Sequence, residues 1–134
     1  MAYTEIEIMV RSTEIDINGH VNNAKYLEYL EWGREDWFEQ RGLFYNVLKE
    51  AGIVTVVAHV SADYTEAAVQ NDKLRIFTEL KSIGNTSFVM KQWIKNQRDE
   101  LVLKAEFIMV TIHPETHKKV RVPDVIRKEL NLEG

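Results

Sequence analysis

One stretch of the chain, Ala24 to Gln40, carries a long helical pattern, and most of the chain after it alternates with the period of a strand. At about 100° per residue, Tyr26, Leu27, Tyr29, Leu30, Gly33, Trp37 and Phe38 fall within an arc of roughly 180°. Glu28, Glu31, Glu35, Asp36 and Glu39 take the other side. So wide an apolar stripe exceeds what a flat sheet needs. It suits a helix wrapped by a curved sheet. Gly42 supplies a C-terminal stop, and Asn22 or Asn23 can cap the start.

Five strands are predicted around that helix. Tyr3 to Arg11 places Ile6, Ile8 and Val10 on one side and Glu5 and Glu7 on the other. Val54 to Glu66, Lys73 to Ile83, Ser87 to Asn96 and Glu100 to His113 follow, with Gly84-Asn85 and Gln97-Arg98-Asp99 as hairpin turns. Val120 to Val122 reads as a short sixth strand after a turn at Pro114 to Lys118. Pro123 and Asp124 then open a short helix to Leu130. Adjacent strands with short turns form an antiparallel sheet. The expected fold is therefore α+β: a five- to six-stranded antiparallel sheet wrapped around one long central helix, in a single domain over residues 1–134. One helix covers only part of such a sheet, so a homo-oligomer, homodimer or homotetramer, is expected. Trp32 stands among the acidic residues of the helix, as a partner contact or a snorkelling ring.

Composition narrows the function. The chain has 134 residues, no cysteine and a net charge of −4. Without cysteine there is no disulfide framework, thiol nucleophile or cysteine-ligated zinc. An acidic whole speaks against nucleic-acid binding. The charge is uneven: residues 1–70 hold 5 Lys+Arg against 12 Asp+Glu, and residues 71–134 hold 12 against 9. The second half could meet an anionic ligand through groups such as Lys81, Arg98 or Lys118, though scattered solubilising lysines account for the excess equally well. No apolar run approaches about 18 residues, so no membrane span is expected. Met1 to Glu5 lacks the basic start of a signal peptide, which points to the cytoplasm. His113 and His117 have a metal-ligand spacing, but Pro114 puts them in a turn, where that spacing loses its helical meaning. No metal and no cofactor is expected.

The chemistry concentrates in Asp16-Ile17-Asn18-Gly19-His20-Val21-Asn22-Asn23-Ala24-Lys25-Tyr26. A carboxylate, an imidazole and three carboxamides stand just before the long helix, whose first N–H groups lack internal acceptors and make an electropositive spot. Such a spot stabilises charge developing on a carbonyl oxygen. A carboxylate beside it suits thioester or ester hydrolysis, as nucleophile or as base for water. Caps and turns use the same residue types, so the residues alone leave the structural reading open.

The segment resembles the 4-hydroxybenzoyl-CoA thioesterase-like branch of the hotdog-fold superfamily, and more closely its acyl-CoA and acyl-carrier-protein thioesterases. Their pattern Asp-x-Asn-x-His-Val-Asn-Asn-x-x-Tyr is filled by Asp16, Asn18, His20, Val21, Asn22, Asn23 and Tyr26. Tyr64, Asp72 to Leu74, Gly84 to Phe88 and Val110 to Pro114 extend the likeness. The resemblance implies hydrolysis of an acyl-CoA (or acyl-carrier-protein) thioester, with Asp16 as the catalytic carboxylate and the backbone N–H at Asn23 polarising the carbonyl. Asn18 and His20 would support catalysis. Gly19 would let substrate approach; Asn22 and Tyr26 belong to the same substrate-binding segment, with a largely architectural part. Many relatives carry a further acidic residue where Ala67 stands here, and Asn71 replaces a usual glycine. Strand alternation turns Glu66 to the side opposite Ala67. Two rival classes share the scaffold: a dehydratase or hydratase, whose Asp and His stand one residue further apart, and an acyl-CoA-binding module, which has no use for Asp16.

Overall fold

The computed structural model describes residues 3–133. Strand β1 (Tyr3–Met9) leads through a single 3-10 turn, Ser12–Glu14, to the long helix α1 (Asn23–Gln40) and a short helix α2 (Tyr45–Glu50). Strands β2 (Val54–Tyr64), β3 (Lys73–Ile83), β4 (Ser87–Lys95) and β5 (Leu101–Ile112) follow, and helix α3 (Asp124–Glu133) ends the described chain. The strands form one sheet in the order β1-β3-β4-β5-β2, with every neighbouring pair antiparallel. β1 and β2 are the edges.

This is the helix-in-sheet arrangement expected from the sequence, with two differences. The sheet has five strands among the described residues, the lower of the expected five to six, and the optional sixth is absent. Val120 to Val122 form no strand; past β5 there is one isolated bridge, Ile112 to Lys119, and Thr111 Oγ1 donates to the Val120 carbonyl at 2.6 Å. The Val120 N–H still reaches the Thr111 carbonyl at 3.0 Å, but the Val122 N–H turns to the Asn85 carbonyl at 2.8 Å, and Pro123 has none to offer, so the ladder stops. The second difference is α2, whose six residues are too few to show a helical period; only Leu48 of them is buried.

The core lies between α1 and the inner face of the sheet: Tyr29, Leu30 and Trp37 of the helix meet Leu74, Ile76, Phe88, Met90, Ile94 and Leu103 of the strands. The buried stripe of α1 is not quite the predicted one. Leu27 is exposed, whereas Arg34, a charged residue that falls inside the same arc between Leu30 and Leu27, is buried. Two features of the sheet explain the exchange. Arg34 Nη1 donates to Gln92 Oε1 at 3.0 Å, and its guanidinium lies 3.8 Å over the Phe107 ring. Gln92 in turn donates to the Leu30 carbonyl and to Thr78 Oγ1, both at 2.8 Å, so one amide ties helix to sheet. Burial lowers the Arg34 pKa to about 10, against the opposing pull of Glu31 and Glu35. Among the described residues no helix is long and apolar enough to cross a membrane.

Candidate active site

The loop before α1 is a small closed structure. Ile15 and Val21 pair across it as an isolated antiparallel bridge, and the Asp16 N–H donates to the His20 carbonyl at 2.8 Å. Gly19 turns the chain at φ +80°; a side chain there would meet no atom within 4 Å, so conformation alone asks for glycine. Asp16 holds the loop from inside. Its Oδ1 accepts from the Asn18 N–H at 2.9 Å and the His20 N–H at 3.2 Å. Its other oxygen, Oδ2, has no partner among the described residues. Asp16 makes no salt bridge there either.

Asn22 is the cap of α1: its side-chain oxygen accepts from the Ala24 N–H at 2.9 Å, and its carbonyl from the Lys25 N–H at 2.9 Å. The Asn23 N–H, which precedes both, has no acceptor among the described residues. Removing the cap with Asn22→Ala should cost about 1 kcal/mol of stability, measured as a lower urea midpoint. An unchanged midpoint would show that the helix start is held by something else.

A second segment closes the site. The Val21 N–H donates to the Ala68 carbonyl at 2.9 Å, and the Ala68 N–H donates to Tyr26 Oη at 3.2 Å. Tyr26 thereby pins residues 64–68 against both loop and helix, and its ring meets Tyr64 edge-on at 5.4 Å. Burial raises its pKa, with the Ala68 bond working the other way. Between these walls lies a cavity of about 400 Å³, lined by Asp16, Asn18, His20, Asn23 and Tyr26 together with Val21 and residues 64–67. Five of the seven residues picked from the sequence thus share one space. Gly19 and Asn22 do not line it; they shape the turn and cap the helix.

Glu66 lines the same cavity, contrary to the expectation from strand alternation. The reason is that β2 stops at Tyr64. Past it, the N–H groups of Thr65 and Glu66 both reach the Val102 carbonyl, at 2.9 and 3.3 Å, so residues 65–67 no longer turn by half a revolution each. The basic candidates separate as well. Arg98 belongs to the β4–β5 turn, at the cavity end of the sheet, paired with Glu100 at 2.6 Å. Lys81, bound to Glu106 at 2.7 Å, and Lys118, in the turn after β5, belong towards the other end. His113 and His117 form a hydrogen-bonded turn: the His117 N–H donates to the His113 carbonyl, and His113 Nδ1 accepts from the Glu115 N–H at 3.1 Å. No group of three or more His, Asp or Glu among the described residues is placed to hold a metal ion.

A closed Asp-His turn beside the unengaged first amide of a helix, inside a sheet curled round that helix, defines the class. The chain belongs to the thioesterase-like superfamily, whose model matches residues 10–130. It is 31% identical over 127 residues to the long-chain acyl-CoA thioesterase FadM of Escherichia coli, covering 94% of this chain and 96% of that protein. It is 28% identical over 122 residues to the Escherichia coli acyl-CoA thioester hydrolase YbgC, covering 91% of each. The fold superposes on a crystal structure of a DHNA-CoA thioesterase from Staphylococcus aureus with a TM-score of 0.88 at 24% identity, over 98% of this chain and 93% of that one.

Proposed function

We propose that this protein hydrolyses acyl-CoA thioesters to a carboxylic acid and free thiol, with Asp16 as the catalytic carboxylate. The observation that carries the reading is the pairing, in one cavity, of a carboxylate oxygen and a helix N–H that no described group engages. The names of FadM and YbgC support the substrate class. The substrate carbonyl accepts the Asn23 N–H, where the helix field favours the charge that develops on its oxygen. Asp16 Oδ2 then adds to the carbonyl carbon and expels the thiolate, leaving an anhydride for water to split, or it takes a proton from a water that adds instead. In both routes Oδ1 stays fixed by the Asn18 and His20 amides. The imidazole of His20 and the carboxamide of Asn18, both exposed at the mouth, orient that water.

The test is incubation with acyl-CoA and a thiol reagent. Thiol release is expected. Its absence with bound acyl-CoA would favour the binding module, and loss or gain of water across a double bond would favour the dehydratase or hydratase.

A second copy of the chain completes the molecule in this proposal. The two sheet edges differ in kind. β1 has seven residues and carries Glu5 and Glu7, which discourage pairing. β2 has eleven, and Val54 to Ala62 contain no acidic or basic residue other than His59 and no proline. A long bare edge invites an identical strand, and β2 pairing antiparallel with its counterpart closes it in a homodimer. Sedimentation equilibrium should return twice the chain mass. A monomer at every concentration would overturn this arrangement.

A further inference from the structure

A larger cavity, of about 630 Å³, lies at the other end of the α1–β2 side of the molecule, where Arg34, Phe38, Leu43, Phe44, Leu48 and Met109 contribute to its walls. The two cavities share no wall residue, but Val57 lines this one and Tyr64 the Asp16 site, and the inner face of β2 between them forms an open trough. Residues directly opposed in an antiparallel pair face the same way, and β2 pairs Val57 with Met109, Val60 with Phe107 and Tyr64 with Leu103. Those β5 residues are buried, so Val57, Val60 and Tyr64 also face inward. Yet they are 47%, 38% and 50% exposed: of the three, Tyr64 meets α1 through the edge of the Tyr26 ring and still keeps half its surface open. Pairing at the outer edge of β2 lies in the plane of the sheet and leaves this inner face open to a ligand.

The trough has one buried cation among the described residues. Arg34 is 8% exposed and lies over Phe107, opposite Val60. Of its five N–H donors, the one on Nη1 that meets Gln92 Oε1 is the one with an acceptor among the described residues. It has no carboxylate within ion-pair distance there. A largely buried guanidinium with spare donors, set between the apolar face of Val57 and Val60 and the acidic rim of the far cavity, is a specificity element.

We infer that the trough seats a long acyl chain carrying a neutral oxygen, a hydroxyl or a carbonyl, far from the thioester, and that Arg34 donates to that oxygen. The inference rests on the thioesterase reading for the position of the reacting carbonyl. Arg34 lies eleven residues beyond Asn23, about 16 Å along the helix. From Tyr64 to Val60 along the strand is about 13 Å. At roughly 1.3 Å advance per carbon, from C–C bonds near 1.5 Å, those lengths correspond to about ten to thirteen carbons. Charge decides between oxygen types. Glu31, Glu35 and Glu39 rim the far cavity against the single cation of Arg34, so a carboxylate at the chain end meets a net negative field that a hydroxyl does not feel.

The test compares kcat/KM of the wild-type protein for lauroyl-CoA, ω-hydroxylauroyl-CoA and the mono-CoA thioester of dodecanedioic acid. The hydroxylated substrate should be preferred over lauroyl-CoA by about tenfold, the worth of one hydrogen bond to a charged group, and the dicarboxylic one should be the poorest. In Arg34→Met the preference should fall to near one, and Arg34→Lys should keep part of it. Equal values for lauroyl-CoA and its hydroxy form in the wild type would overturn the inference, as would a preference that survives in folded Arg34→Met. If no substrate releases thiol, the thioesterase reading has failed on its own. Calorimetric titration with methyl laurate and methyl ω-hydroxylaurate then still decides the cavity: tighter binding of the hydroxy ester sustains it, and equal binding ends it.

Discussion

Asp16→Asn is expected to lower kcat for acyl-CoA hydrolysis by about 10²- to 10⁴-fold if the carboxylate acts as a base, and by more if it is the nucleophile. The substitution isolates charge from architecture. An asparagine side chain keeps an oxygen in the place of Oδ1, where the Asn18 and His20 amides donate, so the turn should stand. What is lost is the negative charge and the basicity of the second oxygen. KM should change little, because the helix amide and the cavity walls are untouched. Single turnover in labelled water gives the nucleophilic route a signature: label entering Asp16 identifies it, whereas label in the product acid is shared by the base route and by an anhydride that water opens at the acyl carbon. His20→Ala should cost less than Asp16→Asn, since His20 acts on the water and not on the carbonyl. Near-wild-type turnover in folded Asp16→Asn would remove the residue from the mechanism.

Gly33→Ala should destabilise the fold by about 1–3 kcal/mol, although alanine is favoured over glycine inside a helix by about 1 kcal/mol. The sign is set by space. A Cβ at Gly33 would stand 2.7 Å from Ile76 Cγ2, 2.9 Å from Thr78 Oγ1 and 3.0 Å from Gln92 Nε2. Ile76 and Thr78 belong to β3 and Gln92 to β4, so none can retreat without moving the sheet or breaking the Gln92 link to Leu30. The helix must lift, and cavities open beside Leu30 and Trp37. A shift of the urea midpoint to lower concentration, at constant slope, is the expected measurement. A higher midpoint would mean that α1 rests on the sheet less tightly than these distances require.

The residues of the site differ in how far the sequence reveals them. Asp16, Asn18, His20, Asn23 and Tyr26 are neighbours in the chain, so a local pattern could assemble them, and they do line one cavity. Glu66 could not be assigned that way. Whether it faces the site depends on where β2 ends, which is decided by the Val102 carbonyl on another strand. Arg34 illustrates the same limit. The helical wheel puts Arg34 inside the apolar arc, but its charge argues for solvent, and only Gln92 from β4 and Phe107 from β5 make its burial possible. Lys81, Arg98 and Lys118 are equivalent as basic residues of a sequence; the hairpin connections put Arg98 at the cavity end and the other two elsewhere.

By itself, the order of side chains determined the periods of the strands, the one long helix, its cap and the turn that holds Asp16, because each depends on contacts within a few residues. Tertiary structure alone decided which strand became the bare edge, how far α1 reaches across the sheet, and that a second cavity with a buried cation lies along the same helix. Those outcomes depend on pairings between distant segments, and no local rule of spacing carries that information.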